Sequence, residues 1–365
     1  MSTISAQPLT GSAVWHGRDL ARSSDWIRPI SAAAVAELDA ALAAVKARGL
    51  AWRDIRREDF PLRGFADELA AVAHELEHGR GIVLLRGLPV QRYTEDELRQ
   101  IYWGIGTHLG EARYQNAHRE LIGEVRDELR VYGTVSQPDV TQQDGAPVTS
   151  RYKARSSGPL RFHTDRADVV GLLCVRQARA GGVSKIVSSV AINNAILARR
   201  PDLHALLHQD YYRTREGEER GGDRRWYALP VFGVRDGRFT SQYSRTFVEA
   251  AQRITEIPRM TPAQDEALDL LAEIAEELCF EMELRPGDIQ LLNNHVTYHA
   301  RTAFEDDESA GQDRLLYRLW LSMPNSRALP PGYEVLWGST EPGALRGGIG
   351  QVGPSEASAP SGTAE

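Results

Sequence analysis

The chain is poor in cysteine: its 365 residues hold two, Cys174 and Cys279. Two thiols cannot build a disulfide framework or a four-cysteine zinc cluster. They fit a reducing compartment, as core fillers. A basic excess is also missing. With 43 Lys and Arg against 50 Asp and Glu, the net charge of -7 leaves no electrostatic footprint for nucleic acid. No apolar run approaches the roughly 20 residues that a bilayer-crossing helix needs. The opening Met1-Ser2-Thr3-Ile4-Ser5-Ala6-Gln7-Pro8 has neither the basic stretch nor the apolar core of a secretory signal, so a cytoplasmic location is expected. There is no internal repeat. With 42% hydrophobic and 25% charged residues, a chain of this length can bury a core without metal or disulfide staples.

Residues 1–12 are small and polar and read as a flexible arm. Ser31 caps a helix that runs to Arg48 and stops at Gly49. Residues 65–78 form a second helix, with Leu69, Val72 and Leu76 at helical spacing. Residues 82–86 lie between glycines as a buried strand, and Thr94 with Glu97 makes a capping box that opens a third helix. Residues 129–132 look extended. The polar stretch 136–158 has no pattern of its own, and a loop this long reads as a lid or pocket wall. Strands are expected at 169–175, 183–187, 226–234, 238–243, 280–284, 289–292 and 315–321. Short helices are expected at 192–199 and 201–208, and Thr261-Pro262 starts a long one through 278. After Pro324 the pattern fades, and 338–365 reads as a disordered tail. Many short strands with Gly and Pro turns, behind a helical start, point to a mainly β protein with flanking helices. The architecture expected is a jelly-roll core with an N-terminal helical buttress, as one domain over 13–330.

The stretch Arg161-Phe162-His163-Thr164-Asp165 sets an imidazole and a carboxylate one residue apart at the end of an expected strand. In an extended chain the side chains at i and i+2 leave the same face, so both aim at one point. So short a pattern is easily met by accident, and His208-Gln209-Asp210 repeats it. A third ligand is on offer in Asn293-Asn294-His295-Val296-Thr297-Tyr298-His299. His163, Asp165 and His299 would make a two-histidine, one-carboxylate triad, which suits non-haem Fe(II) and would also satisfy zinc. His295 competes with His299 for the distal place.

Arg314-Leu315-Leu316-Tyr317-Arg318 puts two arginines on one face of an otherwise apolar strand. A guanidinium sent into a core needs an anion. Either each pairs with a protein carboxylate, or the two are there to hold a ligand's carboxylate by paired hydrogen bonds.

Taken together, His163-Thr164-Asp165, Gly181-Gly182-Val183-Ser184, Asn293-Asn294 ahead of His299, and Arg314 with Arg318 resemble the taurine dioxygenase (TauD/TfdA) family, over about residues 85–321. The resemblance implies a double-stranded β-helix, related to the clavaminate synthases, that uses Fe(II), 2-oxoglutarate and O2. It places iron on His163, Asp165 and His299, the far carboxylate of 2-oxoglutarate on Ser184 and Arg314, and an anionic group of the substrate on Arg318. The family often has Thr where Ser184 stands, and the hydroxyl is kept. The usual Asp-Asn-Arg before the distal His is Asn293-Asn294-His295 here, which changes what stands behind the metal ligands. The duplicate lacks the following Gly-Gly-x-Ser, and reads as a helix-end His beside a surface Asp.

The reaction implied consumes 2-oxoglutarate and O2, releases succinate and CO2, and oxidises a substrate C–H bond. Related halogenases lack the carboxylate that Asp165 supplies, so hydroxylation, or an outcome derived from it, is expected. The partner would be a small molecule with a carboxylate or sulfonate, with no nucleic acid or membrane. A homo-oligomer is the family habit. Gln115, Asn116, Tyr152, Arg166, Tyr243 and Arg245 offer groups that could reach the pocket, and Asp168 reads as structural. Two other functions use the same residues: a zinc-dependent hydrolase on the same triad, and a non-catalytic jelly-roll binding module.

Overall fold

The strand Leu315–Ser322 shows how the sequence pattern builds the molecule. Its Leu315, Tyr317, Leu319 and Leu321 pack into one core, and its Leu316 and Trp320 into another. Successive side chains leave opposite faces of a strand, so this sheet is covered on both sides. The computed structural model describes residues 7–116, 118–132, 153–215 and 224–350.

Two sheets face each other. The larger runs, edge to edge, through Ile27–Pro29, Ile82–Arg86, Ile289–Asn293, Val169–Arg176, Leu315–Ser322 and Glu111–Ala112, with Ile122–Val125 also paired to Leu315–Ser322. The smaller runs Phe280–Met282, Ser184–Ser188, Thr297–Arg301, Leu160–His163, all antiparallel. Ile82, Leu84, Val170 and Leu292 of the larger sheet pack with Ile186 of the smaller to fill the space between them. The jelly-roll core expected from the pattern is present.

Helices cover the outer faces. Ala32–Ala47, Gly64–His78 and Glu95–Leu109 bury Leu38, Val72 and Ile101 against Val83, Leu173 and Leu319 of the larger sheet. Each such side chain, fully removed from water, contributes roughly 1.5–3 kcal/mol. The helix starts are those the sequence marks: the Ser31 hydroxyl accepts from Ala34 N–H, and Thr94 and Glu97 cap each other. Ser189–Arg199, Pro201–Leu207 and Pro262–Leu278 cover the smaller sheet through Ile192, Leu203 and Leu271. No helix among the described residues is long and apolar enough to cross a membrane.

Several local expectations change. Residues 129–132 fall in a short helix, Glu128–Tyr132, because buried Glu128 is held by an ion pair with Arg155. The run 226–234 is two strands, Trp226–Leu229 and Phe232–Arg235, which pair with different partners on either side of Pro230. Most of the 136–158 stretch, with Tyr152, lies outside the described residues. In the expected arm, the Leu9 backbone exchanges hydrogen bonds with the Asn194 side chain at 2.8 and 2.7 Å. The largest departure is at the C-terminal end. The tail expected from 338 begins with a packed segment: Arg346 is 1% exposed, and Ile349 3%. Glycine-rich composition reads as loose chain, but Gly347 and Gly348 have positive φ and let the backbone lie against Arg166 and Arg113.

Candidate active site

His163 ends the strand Leu160–His163 and sits directly across from His299 on Thr297–Arg301. Their rings are 4.2 Å apart between centroids. Asp165 follows in the turn that carries the chain to the larger sheet. That turn is pinned from behind: Asn294 Oδ1 accepts from the Asp165 N–H at 3.0 Å, and Asn294 Nδ2 donates to the Ala167 carbonyl at 2.8 Å. His163 Nε2 lies 3.9 Å from Asp165 Oδ1, and His299 Nε2 3.7 Å from Asp165 Oδ2. One donor atom from each of the three residues falls within 4.8 Å of the others, and all three residues are buried.

The protonation states suit metal binding. His163 Nδ1 faces the Arg161 carbonyl at 2.9 Å. A carbonyl only accepts, so the proton sits on Nδ1 and Nε2 keeps its lone pair. Burial, foremost, keeps the His163 imidazole neutral, and burial with the neighbouring His163 ring pushes His299 down to about 3. Burial opposes ionisation of Asp165, but the Arg318 guanidinium, foremost among its neighbours, outweighs it and holds its carboxyl below the usual range. Among the described residues Asp165 Oδ2 has no hydrogen-bond partner, a costly state for a buried carboxylate oxygen.

On one side of the triad lies a cavity of about 470 Å³ between the sheets, lined by Ser184, Arg301, Arg314 and apolar Leu172, Leu284 and Leu316. Arg314 is 6% exposed; its Nη1 reaches the Val125 carbonyl at 3.4 Å, and its guanidinium stacks 5.1 Å from the Phe304 ring. Burial, offset only in part by Asp306, brings its pKa down to about 10. The Gly181-Gly182 turn explains itself here. Both have positive φ, and a side chain would strike the Ala303 carbonyl at Gly181 or crowd the Arg314 Nε at Gly182. The turn delivers Ser184, whose hydroxyl lies 3.3 Å from Gln290 Oε1 across the sheets.

On the other side a second cavity, about 550 Å³, is walled by Arg166, Tyr227, Phe247, Trp320, Leu336 and Ile349. Arg318 borders both cavities. Its Nε donates to Gln115 Oε1 at 2.7 Å, and its Nη1 is 3.6 Å from Asp165 Oδ1.

A family model described as Taurine catabolism dioxygenase TauD, TfdA family matches residues 24–320. The chain belongs to this family. It is 32% identical over 346 residues to FR-33289 synthase of Streptomyces rubellomurinus, covering 93% of this chain and 97% of that one. It is 30% identical over 333 residues to the taurine hydroxylase-like protein SAT17 of Stachybotrys chartarum, covering 90% and 83%. Among solved structures, asparagine oxygenase in complex with Fe(II), 2S,3S-3-hydroxyasparagine and succinate has the same fold: TM-score 0.58 at 17% identity, covering 81% of this chain and 93% of that one. The non-haem iron oxygenase OrfP with Fe and alpha-ketoglutaric acid gives 0.56 at 16% identity, covering 81% and 94%.

As a TauD/TfdA enzyme the protein is a 2-oxoglutarate-dependent oxygenase whose cofactors are Fe(II), 2-oxoglutarate and O2. That displaces the zinc-hydrolase and binding-module alternatives. The residues present fit these groups. Two neutral imidazoles and an ionised carboxylate suit iron, and buried Arg314 forms no ion pair among the described residues, where a dicarboxylic co-substrate would bring an anion.

Other expected residues resolve differently. His295 is no rival to His299. It lies in the turn before that strand, fully buried, with Nε2 on Asp168 Oδ1 at 2.9 Å and Nδ1 on Thr240 at 2.8 Å. Asp168 is structural as read, clasped by His295, the Met323 N–H and Arg346. Gln115 stands behind Arg318 instead of on a pocket wall. Tyr243 packs on Tyr298 in the core, and Arg245 is spent on Glu249, Asp265 and Asp269. His208 ends its helix with Asp210 exposed beside it, as the reading of the duplicate expected. Asn294, Gln290, Arg301, Leu336 and Ile349 were not singled out by role. For Arg301, the signal was its spacing of two from His299 on one strand, which sends both side chains inward.

Proposed function

We propose that this enzyme hydroxylates a small organic acid, with His163, Asp165 and His299 holding Fe(II). Ser184 and Arg314 take the far carboxylate of 2-oxoglutarate, and Arg318 faces an anionic group of the substrate. The observation that carries the reading is the placement of one buried three-donor cluster between two cavities, one lined by Ser184 and Arg314 and one walled by aromatic and aliphatic side chains.

Bound Fe(II), with 2-oxoglutarate and O2, supplies the oxidant that breaks a substrate C–H bond, and 2-oxoglutarate leaves as succinate and CO2. The protein's part is position and exclusion of water. Arg161 fixes the His163 ring through its carbonyl, and Asn294 fixes the backbone of Asp165. Gln115 holds the Arg318 guanidinium at the seam of the two cavities, so a carboxylate or sulfonate drawn to it is set beside the triad. Tyr227, Phe247 and Ile349 give an apolar body somewhere to lie. The hydroxylated asparagine and arginine held by similar folds are small and carry a carboxylate, in keeping with this substrate class.

The test is a screen of small carboxylic and sulfonic acids for substrate-stimulated succinate release in the presence of Fe(II), 2-oxoglutarate and O2. Release is expected from the wild type and lost in His163→Ala. Arg318→Gln is expected to raise KM for an acid more than for its amide. Failure of anaerobic Fe(II) and 2-oxoglutarate to give a metal-to-ligand charge-transfer absorption would overturn the cofactor assignment. Equal effects of Arg318→Gln on acid and amide would overturn the substrate class.

A further inference from the structure

Arg301 is a second buried cation at the co-substrate cavity. It follows His299 by two positions on Thr297–Arg301 and so shares its inward face. Across the smaller sheet its partner in register is Ser184, and cross-strand partners present their side chains side by side. Arg301, Ser184 and Arg314 line the same cavity. The guanidinium carbons of Arg301 and Arg314 lie 4.7 and 5.1 Å from the centroid of one ring, Phe304.

The donors of Arg301 are divided. Its Nη2 donates to the carbonyls of Lys153, Ser156 and Gly158, which fastens the segment entering the Leu160–His163 strand. Its Nε and Nη1 have no acceptor among the described residues, although the residue is 6% exposed. Two buried guanidiniums against one ring repel each other, and the carboxylates that offset this, Asp127 and Asp306 at Arg301 and Asp306 at Arg314, form no ion pair with either guanidinium among the described residues. Leaving such donors unpaired in a dry site is costly. A carboxylate brought between them removes both penalties, and 2-oxoglutarate carries one at its far end.

We propose that Arg301 is a co-substrate-binding residue: with Arg314 and Ser184 it fixes the far carboxylate of 2-oxoglutarate, and it ties that carboxylate to the 153–158 segment. This rests on the reading that the cavity takes 2-oxoglutarate. The backbone contacts alone would make Arg301 a purely structural strut, so the test must separate the two roles.

The experiment is an anaerobic titration of the Fe(II)-loaded full chain, followed by charge-transfer absorption. It compares 2-oxoglutarate with 2-oxobutyrate, which binds iron through the same two oxygens and lacks the far carboxylate. In Arg301→Gln the affinity for 2-oxoglutarate is expected to fall by on the order of 10- to 100-fold, while that for 2-oxobutyrate stays within about threefold. Arg301→Lys, which keeps the charge, should fall between. Thermal shifts of the metal-free protein by the same two acids give a readout independent of the chromophore, and should show the same selective loss. If both acids weaken alike, or neither does, Arg301 is a strut and the proposal is wrong. A wild type that gives no absorption band, or that binds the two acids equally, fails at the earlier step and sinks the co-substrate assignment itself, this proposal with it.

Discussion

At the scale of single residues, the donors were easier to read than the groups that hold them. His163 and Asp165 announce themselves by a spacing of two on an extended chain. Asn294 gives no such sign, because what it holds is the Asp165 backbone, brought near only by folding. Replacing it by Ala leaves a buried N–H and a buried carbonyl without partners, a loss of about 1–3 kcal/mol. Groups that orient metal ligands typically change metal affinity by about 10- to 100-fold when removed. Asn294→Ala is therefore expected to weaken Fe(II) binding within that range, read by anaerobic metal titration, with a smaller effect on 2-oxoglutarate affinity of the metal-loaded enzyme. A variant that folds and binds iron as tightly as the wild type would show that the turn holds Asp165 without it. His295 teaches the converse. Its residue type and position made it a rival ligand, and only burial against Asp168 and Thr240 shows that it belongs to a different network.

At the scale of elements, the alternation within Leu315–Ser322 was legible, and with it the inward direction of Arg314 and Arg318. The C-terminal segment was not. Its glycines, serines and prolines match the composition of loose chain, whereas in the fold they permit close approach of backbones. The Gly347 N–H donates to the Trp337 carbonyl at 2.9 Å, and the Gly348 N–H to the Arg166 carbonyl at 2.7 Å. That course brings Leu336 and Ile349 to the second cavity. Arg346 is the latch: Nε and Nη2 lie 2.8 and 2.7 Å from Asp168 Oδ1, in a setting closed to water. Removing one partner of a buried pair costs about 3–5 kcal/mol, and the contacts Asp168 keeps with His295 and Met323 argue for the lower end. Arg346→Ala is expected to lose about 3 kcal/mol in chemical denaturation and to raise the substrate KM, with the 2-oxoglutarate titration little changed. An unchanged KM in the folded variant would mean that the segment does not shape the substrate cavity.

At the scale of the whole molecule, the site is a joint between two sheets that each have a core of their own. The smaller sheet and the turn after it bring His163, Asp165, Ser184 and His299, with helices on its outer face. The larger brings Arg318 and Gln290, with Arg314 just ahead of it, and the N-terminal helices behind. The layering follows from alternating apolar residues and capped helices, so it could be read from the sequence. Which residue of one sheet meets which of the other depends on register, which a single sequence does not carry. A dicarboxylate held between Ser184 and Arg314 would therefore act as a cross-link between layers. A ligand present at about 100 times its dissociation constant stabilises by about 2.7 kcal/mol. Mn(II), which does not react with O2 in this way, serves as the probe ion. Mn(II) and 2-oxoglutarate together are expected to raise the melting temperature by more than the sum of their separate shifts, because the metal completes the site for the keto acid. In Arg314→Gln the Mn(II) shift should survive and the extra increment should vanish. Strictly additive shifts, or an increment that persists in Arg314→Gln, would mean that the keto acid does not span the two sheets at this site.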